Sequence, residues 1–352
     1  MHLKEVITFS KGRVGFIQLN RPKAINALNL NMINIIDAAL SEFENDTSID
    51  AVLLESATER GFCAGGDIRI SRQYVLDGQT QEMYDFFKKE YQLDGHIAKY
   101  KKPIVVLTDG IVMGGGLGLA GHATYRFATN NTIFAMPEAA IGFVCDCGID
   151  FLLAKIERHI SLAFLLSGQA ISANDALELN LTDCVISQEG FPQIREQLLK
   201  AMNEENIDAA IKKIILKEND SSKTTSLSKE KFSARANSCK AAFLEGNITK
   251  IIGSLEKQAK SNQTAKEFYD ILQKHCPTSL SAIVISHDRA RIHQDIDKTL
   301  EIDLALATMM GKRDDFAEGV RAVLIDKDQN PNWQPKCQNE VDEGAIYAQI
   351  NK

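Results

Sequence analysis

Apolar and polar positions alternate in two distinct ways over the first part of the chain. Residues 6–19 alternate with period two around a Lys-Gly turn, which predicts a β-hairpin. Apolar residues recur at helical spacing over residues 32–43, with Asn29 or Asn31 as the cap. A short apolar run follows at residues 52–55 and predicts a buried strand. Strand, helix and strand in succession indicate an α/β layer fold.

Two glycine-rich turns come next, each where a predicted strand passes into a helix. The first covers residues 61–68 and places Asp67 in the first helical turn, and the second covers residues 113–116. Glycines allow positive φ and leave backbone N–H groups open to a close ligand. One such turn indicates only a tight connection. Two neighbouring turns can aim two N–H groups at one point, which is the geometry of an oxyanion hole.

A pair of carboxylates follows the second glycine turn. Glu138 comes directly after Pro137, and Asp146 stands further along the same segment. Carboxylates supply acid/base groups or nucleophiles, and together with backbone donors they indicate chemistry on a carbonyl that becomes an oxyanion. Glu138 could instead only open a helix, where a carboxylate favours the helix dipole.

The later part of the chain is mostly helical in pattern. Residues 81–100 predict a helix, and from residue 194 onward nearly all of the chain has helical periodicity. Residues 218–231 are polar and rich in Ser, Thr and Lys, and they predict a mobile surface connection. The helices predicted beyond it cover residues 247–260, 263–275, 278–291, 294–310 and 312–322.

Composition narrows the class of protein. The 352 residues are 44% hydrophobic and 25% charged, as in an ordinary soluble globular protein. No apolar run is long enough to span a bilayer, and the net charge of −7 disfavours nucleic acid as a partner. The start of the chain shows no signal or transit pattern, so we expect a cytoplasmic protein of bacterial origin.

The cysteines predict reduced thiols. There are seven of them without a secretion signal, which disfavours a disulfide framework. Cys145 and Cys147 flank Asp146, but no second Cys or His pair at ligand spacing accompanies them. We therefore expect these two thiols to pack in the core, and we expect no metal site.

At this point the motifs resemble those of a known family. The paired glycine turns, the loop at residues 20–22 and the segment 136–138 resemble the crotonase (enoyl-CoA hydratase/isomerase) superfamily. This resemblance implies an α/β fold, a crotonase-like spiral of ββα units with a helical C-terminal region. It also implies an acyl-CoA ligand and a trimer-based homo-oligomer. We expect the spiral core over residues 1–200 and a helical region over residues 201–352 that covers the acyl-CoA site.

Within this superfamily the resemblance is closest to the 3-hydroxyisobutyryl-CoA hydrolase branch. Similar hydratases use two glutamates, one at the position of Gly118 and the other at the position of Glu138. Gly118 has no carboxylate, whereas Asp146 stands where hydratases usually carry glycine. The resemblance therefore implies hydrolysis of a short β-hydroxyacyl-CoA, within valine breakdown. The segments that carry this resemblance are residues 61–68, 89–91, 113–116, 134–142, 277–280 and 318–335.

The resemblance also implies a role for each catalytic residue. The amides of Gly66 and Gly115 would hold the thioester oxygen as it gains charge. Glu138 would attack the carbonyl to give an anhydride, or act as base for water. Asp146 would bind the 3-hydroxyl group of the substrate and could protonate the departing thiolate.

Substrate-binding residues follow from the same match. Glu90 would line the acyl pocket, and Lys23 and Ala24 would contact the adenine of CoA through their backbone. Residues of the two glycine turns would line the rest of the site, namely Ala64, Asp67 and Gly114. No metal, nicotinamide or flavin is implied, because CoA is itself part of the substrate.

One segment departs from the hydrolase pattern. Similar hydrolases carry proline before the aspartate and several glycines after it, whereas this chain has Cys145, Cys147 and Asp150 around Asp146. Asp150 could therefore be the carboxylate that matters. Two alternatives remain open: an isomerase or hydratase using Glu138 alone, and a non-catalytic protein that binds acyl-CoA. The acyl group also remains open between 3-hydroxyisobutyryl and 3-hydroxypropionyl, which differ by one methyl.

Overall fold

The computed structural model describes residues 4–222 and 231–351, without the side chains of residues 220–222. The described residues form two compact units, each assembled from three stretches of chain. The first unit holds the residues up to Gly66, then 92–134 and 170–222. The second holds residues 67–91, 135–169 and 231–351. The predicted division near residue 200, with a C-terminal region covering the site, stays a prediction.

Strands and helices alternate in the first half of the chain, and helices dominate the second half. The strands are β1 (Val6–Lys11), β2 (Val14–Leu19), β3 (Ala51–Ser56), β4 (Ile104–Thr108), β5 (Ile111–Met113), β6 (Tyr125–Thr129), β7 (Ile133–Ala135), β8 (Ile171–Ser172) and β9 (Cys184–Ile186). The helices are α1 (Leu30–Asn45), α2 (Ile68–Leu76), α3 (Thr80–Ala98), α4 (Gly115–Gly121), α5 (Ile149–Leu153), α6 (Arg158–Ser167), α7 (Ala173–Glu178), α8 (Phe191–Ala201), α9 (Ile207–Ser222), α10 (Phe232–Ser238), α11 (Lys240–Phe243), α12 (Ile248–Gln258), α13 (Gln263–Leu272), α14 (Pro277–His293), α15 (Ile296–Met310), α16 (Asp314–Val320) and α17 (Glu343–Ile350).

The main sheet of the first unit has the strand order β1-β2-β3-β4-β6-β9. β1 and β2 pair antiparallel, which confirms the predicted hairpin, and each later pair is parallel. All five residues of β4 are buried, as expected for a parallel strand covered on both faces. A smaller sheet has the order β5-β7-β8.

The first helix shows which of the two predicted caps is used. The side chain of Asn29 accepts a hydrogen bond from the Met32 amide at 2.9 Å, so α1 begins directly after it. Asn31 instead donates to Glu5 Oε2 at 3.2 Å. The apolar face behind the cap is buried, as its helical spacing predicted, at Met32, Ile33, Ile36, Ala39, Leu40 and Phe43.

The two glycine turns lie at one edge of the main sheet because of the strand order. β3 and β4 are parallel neighbours, with Val52 opposite Ile104. The first turn follows β3, and the second follows β4 after the short strand β5. The ends of parallel strands meet at the same edge, which is where open α/β sheets place their ligands. The sequence patterns that predicted two strand-to-helix turns therefore predicted neighbours in space.

Two of the differences from the predicted helix boundaries concern connecting segments. The second glycine turn was predicted to precede a helix, but α4 begins at Gly115 and already includes part of this turn. The polar connection predicted over residues 218–231 is helical at its start, because α9 continues to Ser222. Residues 223–230 of that predicted connection lie outside the described residues.

The close approach of Gly116 to the Cys63 backbone leads to a testable prediction. A β-carbon there would lie 2.4 Å from the Cys63 carbonyl oxygen, which belongs to the backbone and cannot swing away. We expect Gly116→Ala to lower the free energy of unfolding by about 1–3 kcal/mol. The control is Gly253→Ala in α12, where a β-carbon meets nothing within 4 Å. That change should raise the free energy of unfolding by up to about 1 kcal/mol. Thermal unfolding of both variants measures the difference, and equal effects would contradict the packing described.

Candidate active site

The two glycine turns of the first unit are joined by backbone hydrogen bonds. The Cys63 amide donates to the Ile111 carbonyl at 2.9 Å, and the Met113 amide donates to the Cys63 carbonyl at 3.1 Å. Gly65 and Gly114 both have positive φ, +96° and +50°. A β-carbon on Gly65 would lie 3.0 Å from the Met113 carbonyl oxygen, so only glycine fits this approach.

The two predicted oxyanion donors, Gly66 and Gly115, follow directly after these positive-φ glycines. A β-carbon on Gly65 would lie 3.4 Å from the Gly115 amide nitrogen, which places the second predicted donor beside the first turn. Within the described part of the chain, neither the Gly66 nor the Gly115 amide donates to a backbone carbonyl. Two adjacent open amides are what oxyanion stabilisation requires. Their catalytic role stays a prediction.

The predicted CoA-binding loop is tied to the first glycine turn. Pro22–Ala24 forms a single helical turn, and Lys23 is exposed. The Ala64 amide donates to the Ile25 carbonyl at 3.0 Å, so Ala24 and Ala64 belong to connected segments. Asp67, the last of the predicted turn residues, precedes α2 and begins the second unit.

Sequence reasoning missed Asn26, which holds this loop in place. Asn26 is fully buried at φ +54°, in the left-handed region that Asn tolerates better than most residues. Its Nδ2 donates to the Phe62 carbonyl at 2.8 Å and to Ser56 Oγ at 2.9 Å. The loop is thereby fixed both to β3 and to the turn that follows it. The available signal was a single Asn among apolar residues directly after the Pro22–Ala24 segment.

The second unit brings together the predicted acidic residues. Glu138 opens the helical turn Glu138–Ile141 behind Pro137, and Asp146 lies in the segment between that turn and α5. Glu90 projects from α3. These three carboxylates are buried, with 7%, 5% and 3% of the residue surface exposed. In the described part of the chain no Lys or Arg forms an ion pair with any of them.

Neutral donors contact the carboxylates in place of cations. The Tyr91 hydroxyl donates to Asp146 Oδ2 at 2.5 Å, and Cys147 Sγ lies 3.5 Å from Asp146 Oδ1. Cys145 Sγ lies 3.9 Å from Glu138 Oε2. The two thiols are buried and free, as predicted. The sequence analysis gave the Tyr91 hydroxyl no role, although its neighbour Glu90 was already a candidate.

Burial raises the pKa values of Glu90, Glu138 and Asp146. Desolvation raises the pKa of Asp146 to about 6, and the hydrogen bonds from Tyr91 and Cys147 oppose the rise. Desolvation, followed by repulsion from Asp146, raises the pKa values of Glu138 and Glu90 well above their usual range. A carboxyl group whose pKa approaches neutrality can accept and return a proton under working conditions, as acid/base catalysis needs.

Two further carboxyl groups of the second unit, Asp150 and Asp303, are buried. Asp150 is one of the residues that depart from the hydrolase pattern. Asp150 Oδ1 and His287 Nδ1 are 2.9 Å apart. Asp303 Oδ2 accepts a hydrogen bond from the Gly148 amide at 2.8 Å. Sequence reasoning raised Asp150 but found neither His287 nor Asp303, which lie far along the chain on α14 and α15.

Among the described residues, no group of three or more His, Cys, Asp or Glu side chains is arranged to hold a metal ion. None of the helices in residues 4–222 and 231–351 combines the length and the apolar character that a bilayer crossing requires.

The chain is similar to known proteins along nearly its whole length. The enoyl-CoA hydratase/isomerase family profile matches residues 14–350. The human mitochondrial 3-hydroxyisobutyryl-CoA hydrolase is 35% identical over 97% of this chain and 86% of its own length. The corresponding hydrolase of Dictyostelium discoideum is 31% identical over 98% of this chain and 91% of its own length.

Solved structures confirm the predicted fold class. A carnitinyl-CoA dehydratase from Mycobacterium thermoresistibile superposes with a TM-score of 0.86 at 31% identity, covering 99% of this chain and 96% of that one. An enoyl-CoA hydratase from Rhodobacter sphaeroides superposes with a TM-score of 0.82 at 28% identity, covering 99% and 97%.

Buried Glu90 gives a stability prediction with a definite sign. A carboxyl group whose pKa is higher in the folded than in the unfolded chain loses stability as the pH rises from the unfolded pKa towards the raised one. Glu90→Gln removes this loss. We expect its melting temperature to exceed that of the parent by several degrees at about pH 8 and by much less at about pH 5.

The control for this measurement is Glu204→Gln, because Glu204 is exposed. It should leave the melting temperature nearly unchanged at both pH values. A Glu90→Gln gain of equal size at both pH values would show that Glu90 does not carry a burial-raised pKa.

Proposed function

Because the chain belongs to the enoyl-CoA hydratase/isomerase family, we propose that it hydrolyses the thioester of a short β-hydroxyacyl-CoA. The substrate is 3-hydroxyisobutyryl-CoA, and the products are 3-hydroxyisobutyrate and free CoA. Relatives named as 3-hydroxyisobutyryl-CoA hydrolase match nearly the whole chain at 31–35% identity. The observation that carries the proposal is that Glu138 and Asp146 are both buried and have no ion-pair partner among residues 4–222 and 231–351.

The oxyanion would be held by backbone. As the thioester carbonyl becomes tetrahedral, its oxygen gains negative charge and the amides of Gly66 and Gly115 donate to it. Removing one donor of this kind typically raises the barrier by ~3–4 kcal/mol, so the pair supplies a major part of the rate enhancement. The adjacency of the two turns and their open amides supports this role.

Glu138 supplies the attacking group by one of two routes. In the first, its carboxylate adds to the carbonyl carbon, the C–S bond breaks and an enzyme-bound anhydride forms, which water then hydrolyses. In the second, Glu138 takes a proton from water, and the resulting hydroxide adds to the carbonyl. In both routes the CoA thiolate leaves and gains a proton. Burial and repulsion from Asp146 raise the pKa of Glu138, as expected for a group that takes and returns a proton.

Asp146 recognises the 3-hydroxyl group. Tyr91 donates to Oδ2 of this carboxylate, and only the weaker Cys147 thiol contact lies at Oδ1. Oδ1 therefore keeps acceptor capacity for the substrate hydroxyl. Glu90, buried next to Tyr91 on α3, lines the same acyl side.

The side chain missing at position 118 separates hydrolysis from hydration. Gly118 is a buried residue of α4 and carries no group that could hold or deliver water to a double bond. Hydration of an enoyl-CoA by Glu138 alone is the second candidate, since the two solved relatives are named as a dehydratase and a hydratase. Release of free thiol distinguishes the two, because hydration leaves the thioester intact.

Other properties of the protein are part of the same proposal. CoA binds over the loop of Lys23 and Ala24, and the reaction uses no metal, nicotinamide or flavin. The assembly is a trimer-based homo-oligomer, and the reaction serves valine breakdown. The location is the cytoplasm, although the relatives carry the word mitochondrial in their names.

Removing the carboxylate of Glu138 tests the central assignment. We expect Glu138→Gln to lower thiol release from 3-hydroxyisobutyryl-CoA by at least about 100-fold, because the attacking group is lost. The assay is best run in a Cys337→Ser background, because Cys337 is exposed and would react with thiol reagents. Glu204→Gln is the matched surface control. Full turnover by Glu138→Gln would remove Glu138 from its role.

Asp146→Asn tests recognition of the hydroxyl group. A charged acceptor makes a stronger hydrogen bond than an amide oxygen. We therefore expect kcat/KM to fall about 10-fold more for 3-hydroxyacyl-CoA than for the matching unsubstituted acyl-CoA. Measuring both substrates with the parent and the variant gives the ratio. Equal losses on both would refute the assignment.

A further inference from the structure

A second buried cluster supports the segment that carries Asp146. Asp150 lies on α5, His287 on α14 and Asp303 on α15. All three are buried, and His287 and Asp303 have no exposed surface. We call these three residues the Asp150 cluster. None of them is used in the mechanism above, so their burial needs another reason.

The Asp150 cluster holds the turn that follows Asp146. The Asp146 carbonyl accepts from the Ile149 amide at 3.1 Å, which closes the turn. Within it, Cys147 and Gly148 both have positive φ, +57° and +70°. A side chain in the left-handed region costs about 1–2 kcal/mol, so the surroundings must hold Cys147 there. Asp303 binds the Gly148 amide, and His287 binds Asp150 directly after the turn.

Titratable groups surround Asp146 on every packed element. Glu90 and Tyr91 contribute from α3, Glu138 from its helical turn, and Cys145 and Cys147 from the neighbouring backbone positions. The Asp150 cluster adds two carboxyl groups and one imidazole. Burial raises the pKa of Asp146, and repulsion from Asp150 adds to this rise. Burial also raises the pKa of Asp303 well above its usual range, and repulsion from Asp150 and Asp146 adds to that rise.

Several polar atoms of the cluster are not paired. Asp150 Oδ2, Asp303 Oδ1 and His287 Nε2 are buried and have no hydrogen-bond partner among the described residues. A buried polar atom without a partner costs free energy, so a group that served only stability would normally be paired. Unpaired atoms of three side chains in one place therefore favour a functional role.

We propose that Asp150, His287 and Asp303 are positioning residues for Asp146. Asp303 fixes the backbone of the Asp146 turn, and the Asp150–His287 pair sets the charge beside the Asp146 carboxylate. This proposal rests on the proposed function, in which Asp146 faces the 3-hydroxyl group of the substrate. Asp150, which departs from the hydrolase pattern, therefore controls Asp146 and does not take over its role.

Asp150→Asn separates control of charge from packing. The variant keeps the shape and an acceptor oxygen for His287 but removes the negative charge. Asp146 accepts the hydroxyl when ionised, so kcat/KM for 3-hydroxyacyl-CoA relative to unsubstituted acyl-CoA should fall as the pH drops through about 6 in the parent. In Asp150→Asn this limb should move to lower pH, because a repelling charge is gone. The rate above the limb should stay within about threefold of the parent.

Asp303 supplies a pair of variants that tests the backbone contact. Asp303→Asn keeps an acceptor for the Gly148 amide, whereas Asp303→Leu removes it. We expect Asp303→Leu to lower kcat/KM for 3-hydroxyacyl-CoA by about 10–100-fold, and Asp303→Asn to restore it to within about threefold of the parent. The loss should be smaller for unsubstituted acyl-CoA, since Asp146 does not recognise that substrate.

The outcomes distinguish the two proposals. If the parent releases no thiol, the proposed function fails. If the parent hydrolyses the substrate but the limb of Asp150→Asn does not move, the charge role is overturned even when the variant melts at a lower temperature. Should Asp150→Asn not fold, the Asp303 pair decides. Equal losses in Asp303→Leu and Asp303→Asn, or equal losses on both substrates, would overturn the positioning role.

Discussion

Burial of carboxyl groups without cationic partners is the constraint on which the second unit depends. Glu90, Glu138 and Asp146 are taken out of water, and the described residues provide no Lys or Arg to pair with them. An uncompensated buried charge is costly, so these groups hold protons to higher pH and share a few neutral donors. The Tyr91 hydroxyl and the thiols beside Asp146 and Glu138 fill that role. This arrangement lowers stability and raises the pKa values of these groups, as functional sites commonly do.

The first unit provides backbone hydrogen-bond donors and not acidic side chains. Parallel pairing of β3 and β4 brings two glycine turns to one sheet edge, and Gly65 allows the second turn to approach. The amides of Gly66 and Gly115 belong to the backbone, so the proposed oxyanion would meet donors that are already oriented. Asn26 fixes the neighbouring loop with hydrogen bonds that water would otherwise satisfy. The first unit therefore carries oriented backbone donors, and the second carries buried carboxyl groups.

Local pattern predicted much of this, and long-range contacts were beyond its reach. The hairpin, a helix cap at Asn29 or Asn31 and the buried strand β3 follow from periodicity and capping within short windows, and all three are confirmed. Glu138 and Asp146 were found because both lie in one recognisable segment. His287 and Asp303 were not, because each meets the Asp146 turn only after more than 130 intervening residues. Tyr91 was misjudged, since an aromatic residue at helical spacing reads as core until its hydroxyl partner is seen.

Product analysis of one substrate tests the central claim most directly. The protein would be incubated with 3-hydroxyisobutyryl-CoA, and free CoA, 3-hydroxyisobutyrate and unsaturated acyl-CoA would be quantified together by mass spectrometry. If buried carboxyl groups act on the thioester carbonyl, free CoA and the hydroxy acid should appear in equal amounts, with no unsaturated acyl-CoA. Loss of water to give the unsaturated thioester without free CoA, or recovery of intact substrate, would contradict the account.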